Sequence, residues 1–216
     1  MLPFSAAKKL PIVIFGKCAF VNLKGKIILE GSATFGRIGI GQRYQMFVKE
    51  KGISELHISG ELRFEGRAQM GTDFRLNIGK NAVCKLGDMV SIGNDSTLIC
   101  SKKVFFGEFC QTGTEIFITD SNFHNMKNTA TGKVYPKSFE ICIGNYNFIG
   151  TRVSIMGKTK TADYTTIASC SLVNKDYTAF GENNILGGIP AKVVKNNITR
   201  DWESERTALE NYMKIL

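Results

Sequence analysis

The stretch ITDSNFHNMKN, residues 118–128, places His124 four positions after Asp120 and next to Asn125. Imidazole is the side chain that most often takes a proton from a reacting hydroxyl group near neutral pH, so His124 is a candidate general base. Asp120 could orient the other ring nitrogen and stabilise the imidazolium, as a carboxylate does in hydrolase triads. The alternative for Asp120 is a strand-end residue that caps a turn. For His124 the alternative is a surface-loop histidine without a role.

The other histidine, His57, lies in ELHISGEL, where polar and apolar residues alternate. Alternation is typical of a strand with one face in solvent, so we expect an ordinary strand residue there. The six cysteines never form a CxxC pair, and with two histidines no cluster has zinc-ligand spacing. We therefore expect no metal and interpret the cysteines as reduced core residues. They are Cys18, Cys84, Cys100, Cys110, Cys142 and Cys170.

The composition indicates a folded chain with a basic surface. With 216 residues, of which 43% are hydrophobic, it can bury an ordinary core. It has no run of about 18 apolar residues that could cross a membrane and no clear signal peptide, so a soluble cytoplasmic protein is expected. The net charge of +9 favours an anionic partner. Because no nucleic-acid-binding motif accompanies this charge, a phosphate-bearing small molecule fits better than nucleic acid, and a merely solvated basic surface is the alternative.

Aliphatic residues recur at steps of six, often followed by a small residue. An amphipathic helix would need steps of three and four, and a simple strand strict alternation, so neither explains the pattern. A six-residue step is typical of short strands joined by tight corners, in which one aliphatic side chain per side points into a narrow interior and successive coils stack as parallel sheets. A β-sandwich with coincidental glycines is the alternative. The runs are Leu86, Ile92, Leu98 and Val104; then, two residues out of register, Phe106, Thr112 and Ile118; and Ile143, Ile149, Ile155, Thr161, Ile167 and Val173.

The repeat predicts a single domain over residues 1–199. Its first coils, about residues 18–75, are irregular, and an excursion without an apolar period interrupts it over residues 119–141. An excursion of this length without secondary structure is usually functional. Residues 200–216 are predicted to form a helix that packs on the coil or on a neighbouring subunit and closes the open end of the stack, with Thr199 or Asp201 as its cap. One face of this helix carries Trp202, Leu209, Tyr212, Met213 and Leu216.

Residues 143–176 read IGNYNFIGTRVSIMGKTKTADYTTIASCSLVNKD, and residues 187–195 read GGIPAKVVK. Both resemble the C-terminal part of hexapeptide-repeat acyltransferases, in the sugar O-acetyltransferase branch that includes galactoside, maltose and many surface-polysaccharide acetyltransferases. The resemblance implies an all-β fold, a left-handed parallel β-helix with a loop excursion and a C-terminal α-helix. It also implies a homotrimer with active sites between subunits.

The resemblance assigns expected roles to individual residues. His124 falls on the family's catalytic histidine, at the start of an extended loop. Phe148 stands where a tryptophan near the donor or acceptor is commoner, and the backbone N–H of Thr151 falls where the thioester oxygen is bound. The alternative for Phe148 is a core or interface role. The alternative for the lysines at the nucleotide end, named below, is a solvated basic surface. Positions that match contacts to the pantetheine arm or to the nucleotide end of acetyl-CoA are Ser169, Asn174, Lys175, Lys192 and Lys195.

The chain departs from the family's pattern in IMGKTKTADYTT, which lacks the usual proline and has Thr161 in place of an aliphatic residue. We expect a reshaped corner there. The expected function is transfer of acetyl from acetyl-CoA to a sugar hydroxyl, in surface-polysaccharide or glycoconjugate synthesis. The alternatives are N-acetylation of an amino sugar nucleotide, O-acetylation of serine, and a non-catalytic β-helix that serves as a binding or scaffold protein.

Overall fold

The computed structural model describes residues 2–43 and 52–213. Short strands form stacked coils between a helical turn, α1 (Phe4–Ala7), and a C-terminal helix, α2 (Trp202–Tyr212). Coil by coil, the strands are β1 (Ile12–Ile14), β2 (Cys18–Asn22) and β3 (Lys26–Leu29); β4 (Ile38–Ile40), β5 (Ser54–Ile58) and β6 (Glu61–Phe64); β7 (Ala68–Met70), β8 (Arg75–Ile78) and β9 (Val83–Leu86); β10 (Val90–Ile92), β11 (Thr97–Cys100) and β12 (Lys103–Phe106); β13 (Gln111–Thr112), β14 (Phe117–Thr119), the excursion strands β15 (Met126–Lys127) and β16 (Val134–Tyr135), and β17 (Glu140–Ile143); β18 (Phe148–Ile149) and β19 (Ser154–Met156); β20 (Thr166–Ile167) and β21 (Leu172–Val173); and finally β22 (Asn184–Gly188) and β23 (Ala191–Asn196).

Strands of successive coils pair in parallel and build three faces. The first face contains β1, β4, β7, β10, β13, β18, β20 and β22, with β23 added antiparallel at its edge. The second face contains β2, β5, β8, β11, β14, β19 and β21, and the third contains β3, β6, β9, β12 and β17. The chain is a left-handed parallel β-helix, as the family resemblance implied.

The length of a coil changes along the stack. Ala68 pairs with Val90, 22 positions later, whereas Phe148 pairs with Thr166, 18 positions later. Three steps of six make 18, so the hexads are regular only where the coil has that length. The longer early coils explain why the sequence pattern there is irregular.

Strand β12 explains why two of the runs are out of register. Val104 and Phe106 both face the interior and are at most 2% exposed, because side chains alternate along a strand. One run therefore ends at Val104, and the next begins two positions later. All the predicted inward residues of the three runs are buried, which confirms the six-residue interpretation and excludes the β-sandwich.

The corner at Thr161 accommodates a buried hydroxyl group. This hydroxyl donates to Asn147 Oδ1 at 2.8 Å and accepts the backbone N–H of Gly144 at 3.1 Å. Nearby, pairing on the third face is reduced to isolated bridges of Lys160 with Cys142 and with Asp176. The corner is thus reshaped, as expected, and its buried polar group is satisfied.

The helix α2 begins at one of its two predicted caps. The Asp201 carboxylate accepts the N–H of Ser204 at 3.2 Å, which satisfies one of the unpaired donors of the first turn. Trp202 and Met213 are buried, as predicted. Tyr212 is 51% exposed, so its assignment to the packed face was wrong.

The helix lies along the side of the stack. Leu209 and the buried Met213 pack against Met89 and Phe109, several coils before the end. The expectation that the helix closes the open end is therefore wrong. Leu216, the last residue predicted for the packed face, lies outside the described residues.

A column of stacked aromatic rings receives the helix. The rings of Phe109 and Tyr146 are 5.0 Å apart, those of Tyr146 and Tyr164 are 4.9 Å apart, and both pairs are nearly parallel. Trp202 meets Tyr146 edge-on at 5.9 Å. Each stacked residue stands at the same corner of its coil with a positive φ, so the repeat places the rings above one another.

The hairpin of β22 and β23 covers the end of the stack instead. Leu186, Tyr177 and Ala191 are buried there, and the Tyr177 hydroxyl donates to the carbonyl oxygen of Ala191 at 3.3 Å. The hairpin thus ends the column of inward residues, which would otherwise meet solvent.

The six cysteines are all free. Cys84, Cys100 and Cys110 are buried, and burial raises the pKa of the Cys84 and Cys110 thiols to about 12. Cys170 is exposed, so the core interpretation was wrong for that residue. His57 lies within hydrogen-bonding distance of Ser59 Oγ, 3.0 Å from its Nε2, which confirms it as an ordinary strand residue.

Within residues 2–43 and 52–213, no helix has the length and hydrophobicity needed to span a membrane.

Close approach between coils gives a test of the stacking. A Cβ atom at Gly93 would overlap the carbonyl oxygen of Gly113 on the next coil, whereas a Cβ at Gly79 would meet its nearest atom at 3.5 Å. Gly93→Ala is expected to lower the free energy of unfolding by about 1–3 kcal/mol or more, because the coils must move apart. Gly79→Ala is expected to be neutral or to stabilise by up to about 1 kcal/mol, because it restricts the unfolded chain. Urea unfolding at one protein concentration measures both, and equal midpoints would contradict the proposed close contact.

Candidate active site

Asp120 fixes the point at which the chain leaves the stack. Its side chain is fully buried, and its carboxylate accepts the backbone N–H groups of Ser101 at 2.7 Å, Lys102 at 2.7 Å and Lys103 at 2.8 Å. Asp120 is therefore a cap for the corner of the preceding coil, which is the alternative reading of this residue. In the described part of the chain no hydrogen bond joins it to His124, so an orienting role stays a prediction without a supporting contact.

The excursion is an ordered hairpin. Residues 121–138, here called the arm, leave after β14 and carry the antiparallel strands β15 and β16. At its base Ser121 bridges Ser138, and their hydroxyl groups are 3.1 Å apart. The backbone N–H of Phe139 then donates to the carbonyl oxygen of Asp120 at 2.7 Å. The expectation of an excursion without secondary structure was wrong.

His124 stands at the centre of a bulge in the arm. The backbone N–H of Asn122 donates to the carbonyl oxygen of Lys137 at 2.8 Å, and Met126 pairs with Tyr135. Three residues, 123–125, therefore lie opposite the single residue 136.

The residue types of the bulge explain its form. Pro136 has no N–H to donate to the opposite strand, so pairing fails at that position. Phe123 has a φ of 61°, which turns the chain just before His124. The His124 side chain is exposed. Bulges often redirect a side chain next to an active site, and this one directs an imidazole away from the sheet into solvent.

Thr151 and Ser169 meet at the corner between the first and second faces. The backbone N–H of Thr151 donates to Ser169 Oγ at 3.1 Å, and Ser169 is exposed. Gly113 lies directly below Thr151 in the same column. Lys192 is exposed on β23 and pairs with Gly187, at the top of this column. Three of the predicted donor contacts thus share one corner.

Phe148 lies on the outer side of the first face, three positions before Thr151. Its ring is partly buried, and the Arg200 guanidinium carbon lies 5.2 Å from the ring centroid. The exposed Lys195, which pairs with Ile185, continues the same face. Phe148 therefore packs against the segment that leads into α2.

Asn174 and Lys175 lie at a different corner, between the second and third faces. Both are exposed, and Lys175 Nζ is 5.3 Å from the ring centroid of Tyr177. This is the corner at which Asp120 and the arm leave the stack, because an added Cβ at Gly157 would touch the Asp120 carbonyl at 2.9 Å.

The two corners are the two ends of one side of a coil. From Thr151 to Gly157 the chain runs through β19 for six positions, or about 20 Å of extended backbone. A single chain therefore holds the arm with His124 at one corner and the Thr151–Ser169 pair at the other. Within a single chain the structure thus separates His124 from Thr151 and Ser169. Asn174 and Lys175, which were also predicted to bind the donor, lie at the corner that bears the arm.

Sequence reasoning missed the bulge and the clamp formed by Ser121 and Ser138. Pro136 was the available signal, because a proline inside a hairpin interrupts pairing. The positive φ at Phe123 left no signal in the sequence.

Within the described ranges, no group of three or more His, Cys, Asp and Glu side chains could hold a metal ion.

Among solved structures, the polysialic-acid-specific acetyltransferase NeuO is similar to this chain, with a TM-score of 0.63, 19% identity, and 92% of each chain covered. The chain has the fold of that acetyltransferase. A mutant of AntD, an N-acyltransferase from Bacillus cereus, matches with a TM-score of 0.47, 12% identity and 97% of each chain covered. A maltose O-acetyltransferase from Clostridium difficile matches with a TM-score of 0.34 and 17% identity, over 82% of this chain and 70% of the other. No family model matches the sequence, and no curated protein is significantly similar to it.

The cap at Asp120 can be tested by stability. Asp120→Asn keeps one acceptor oxygen and turns an NH₂ group toward backbone N–H donors, so it is expected to lower the free energy of unfolding by about 1–3 kcal/mol. Asp95→Asn is the control, because Asp95 is exposed and caps no backbone N–H. Urea unfolding followed by circular dichroism measures the difference. Equal midpoints for the two variants would show that the carboxylate does not anchor the corner.

Proposed function

We propose that this protein is an O-acetyltransferase that transfers acetyl from acetyl-CoA to a sugar hydroxyl, in surface-polysaccharide or glycoconjugate synthesis. The observation that carries the proposal is the exposed His124, presented by a bulge on an anchored arm. The β-helix that bears the arm has the fold of NeuO, which is a polysialic-acid-specific acetyltransferase. The resemblance of residues 143–176 to sugar O-acetyltransferases supports the same activity.

The proposed chemistry gives the imidazole two proton transfers. A sugar hydroxyl is too weak an acid to attack a thioester unaided near neutral pH, so His124 takes its proton as the new carbon–oxygen bond forms. The carbon–sulfur bond then breaks, and the proton passes from the imidazolium to the departing thiolate. The products are the sugar acetyl ester and free CoA.

We assign the acyl donor to the corner of Thr151 and Ser169. The exposed Ser169 hydroxyl and the adjacent Lys192 suit a pantetheine arm and a phosphate respectively. The N–H of Thr151 now donates to Ser169 Oγ. Its proposed role with the thioester oxygen therefore requires exchange of that hydrogen bond.

Four further residues complete the assignment, on the strength of the resemblance. Phe148 would pack against the donor or the acceptor. Asn174, Lys175 and Lys195 are exposed and would contact the pantetheine arm or the nucleotide end.

A second copy of the chain would complete the site. His124 and the proposed donor corner lie about 20 Å of extended chain apart in one protomer, so the donor corner that meets His124 belongs to a neighbour. The number of copies, three, follows from the family resemblance. The first face is partly covered by α2, since its outward residues Gln69, Ser91 and Gln111 are buried.

The second face is the one available to a neighbour. The third face carries ion pairs of its own, among them Lys103–Glu140 and Lys160–Asp176. On the upper coils of the second face the outward residues carry no charge. They are Thr97, Ile99, Phe117, Thr119, Ser154, Met156 and Leu172.

Sedimentation tests this assembly. The protein is expected to sediment as a trimer at micromolar concentration, because the second face offers apolar surface to a neighbour. Phe117 is 38% exposed on that face, and Phe117→Asp is expected to shift the protein toward monomer by burying a charge. Phe35→Asp, at an aromatic residue that is 61% exposed elsewhere, is the control. A wild-type monomer would contradict the proposed shared site.

The catalytic role of His124 is tested by thiol release from acetyl-CoA with a panel of sugars, amino sugar nucleotides and serine. His124→Ala is expected to lower turnover by about 10²–10⁴-fold, the usual contribution of a positioned general base. Folding and CoA binding should stay unchanged, because the side chain lies outside the stack. Asn125→Ala, in the same bulge, is the control and should retain activity.

Each other outcome has a definite meaning. Full activity in His124→Ala would show that the histidine is not the base. Transfer only to amines would replace the proposal with N-acetylation, and the absence of thiol release with every acceptor would favour a binding protein.

A further inference from the structure

The arm carries an unbalanced positive charge. Residues 121–138 include Lys127, Lys133 and Lys137 and no aspartate or glutamate. All three lysines are exposed, and within residues 2–43 and 52–213 none forms an ion pair with a carboxylate. The acidic residues at either end of the arm are occupied elsewhere. Asp120 accepts backbone N–H groups, and Glu140 pairs with Lys102 and Lys103.

The arm differs in this respect from the sheet that precedes it. On the third face, Lys85 pairs with Glu65 and Lys160 pairs with Asp176. Carboxylates thus offset part of the lysine charge on this face, whereas residues 121–138 contain neither aspartate nor glutamate. The arm is free of the hexad constraint, so its lack of acidic residues is not imposed by the fold.

Lys133 lies nearer the tip of the hairpin, where its carbonyl oxygen accepts the N–H of Asn128. The other two lysines flank the bulge that presents His124. Lys127 follows it by three positions on one strand, and Lys137 adjoins Pro136 on the other. Lys158 adds a further charge at the base of the arm, where its Nζ lies 4.4 Å from the ring centroid of Phe139. An anion bound beside the imidazole would therefore meet cations from several directions.

The arm also offers apolar surface at the same place. Phe123 and Tyr135 are 54% and 40% exposed. Phe123 precedes His124, and Tyr135 adjoins the residue opposite it. Exposed rings supply flat apolar area on which the C–H face of a pyranose can pack. Lysines beside such rings match a sugar that carries a carboxylate.

We propose that the acceptor is an acidic glycan, whose carboxylates are bound by Lys127, Lys133 and Lys137 while a neighbouring hydroxyl faces His124. The inference rests on the proposed function, since it names the substrate class for that site. The same cations could bind the phosphates of CoA or of a nucleic acid. Those two ligands are separate outcomes of the test.

The first measurement is binding without CoA, by titration calorimetry. The probes are oligogalacturonate and oligosialate, each compared with its carboxyl-reduced neutral counterpart. At least one acidic oligomer is expected to bind at least about 10-fold more tightly than its reduced form, and to weaken as salt is added. Equal binding of acidic and reduced forms in both pairs would overturn the proposal, as would arm-dependent binding of a single-stranded oligonucleotide more tightly than either acidic glycan.

The second measurement uses two charge-matched variants. The triple substitution Lys127→Gln, Lys133→Gln and Lys137→Gln is expected to raise the KM for the acidic acceptor by about 10-fold or more and leave the KM for acetyl-CoA unchanged. The control, Lys8→Gln, Lys9→Gln and Lys24→Gln, removes the same charge at the first coil and should leave both constants unchanged. A raised KM for acetyl-CoA in the arm variant would assign these lysines to the donor and overturn the proposal.

The two proposals fail separately. Lysine-dependent binding of an acidic oligomer with no acetyl transfer would overturn the enzymatic function and keep the glycan site. Transfer to neutral and acidic sugars with equal efficiency would keep the function and overturn the acidic specificity.

Discussion

The spacing between coils governs the whole molecule. Parallel strands lie about 4.8 Å apart, and the interior receives only a few side chains from each side of a coil. The corners of a coil can hold a few extra residues, since one coil takes 18 positions and another 22, but a long insertion must leave the coil. Two strands on either side of the excursion keep the same offset to their partners. Phe106 pairs with Ile143 and Gln111 pairs with Phe148, each 37 positions later. The stack therefore continues across the excursion without a change of register, and the arm is a consequence of that constraint.

An excursion can serve chemistry only if its base is fixed, and the chain fixes this base with polar groups. Asp120 holds three backbone donors of the coil below, and Ser121 and Ser138 close the hairpin above it. A reactive group on a loop is positioned only as precisely as the scaffold holds the base of that loop. The bulge opposite Pro136 then sets the direction of His124. The carboxylate thus contributes to placing the imidazole through the backbone, with no contact between the two side chains.

The sequence predicted those features that depend on local repetition. Inward residues such as Ile149 and Ile155 recur at steps of six where the coil is 18 residues long, and the structure buries them. The Asp201 cap follows equally from neighbouring residues. The place of α2 did not follow, because it depends on the ring column of Phe109, Tyr146 and Tyr164, whose members are distant in sequence. The separation of His124 from Thr151 could not be predicted from the sequence either, since it depends on which corner of the coil each residue occupies.

The coil spacing constrains the residue types in the stack but not those in most of the arm. A groove along a corner repeats the geometry of the coils, so small residues such as Gly113 and Gly150 are required there by close approach. The arm has no such requirement, and its side chains are constrained only near the hairpin base. Under the proposed assignment, acceptor specificity can therefore change through the arm without disturbing either the stack or the corner of Thr151 and Ser169. Among the described residues, Lys127, Lys133 and Lys137 have no carboxylate partner, and they lie in the segment on which the fold imposes least. Under the proposed function, their charge therefore reports on the acceptor more directly than the net charge of the whole protein.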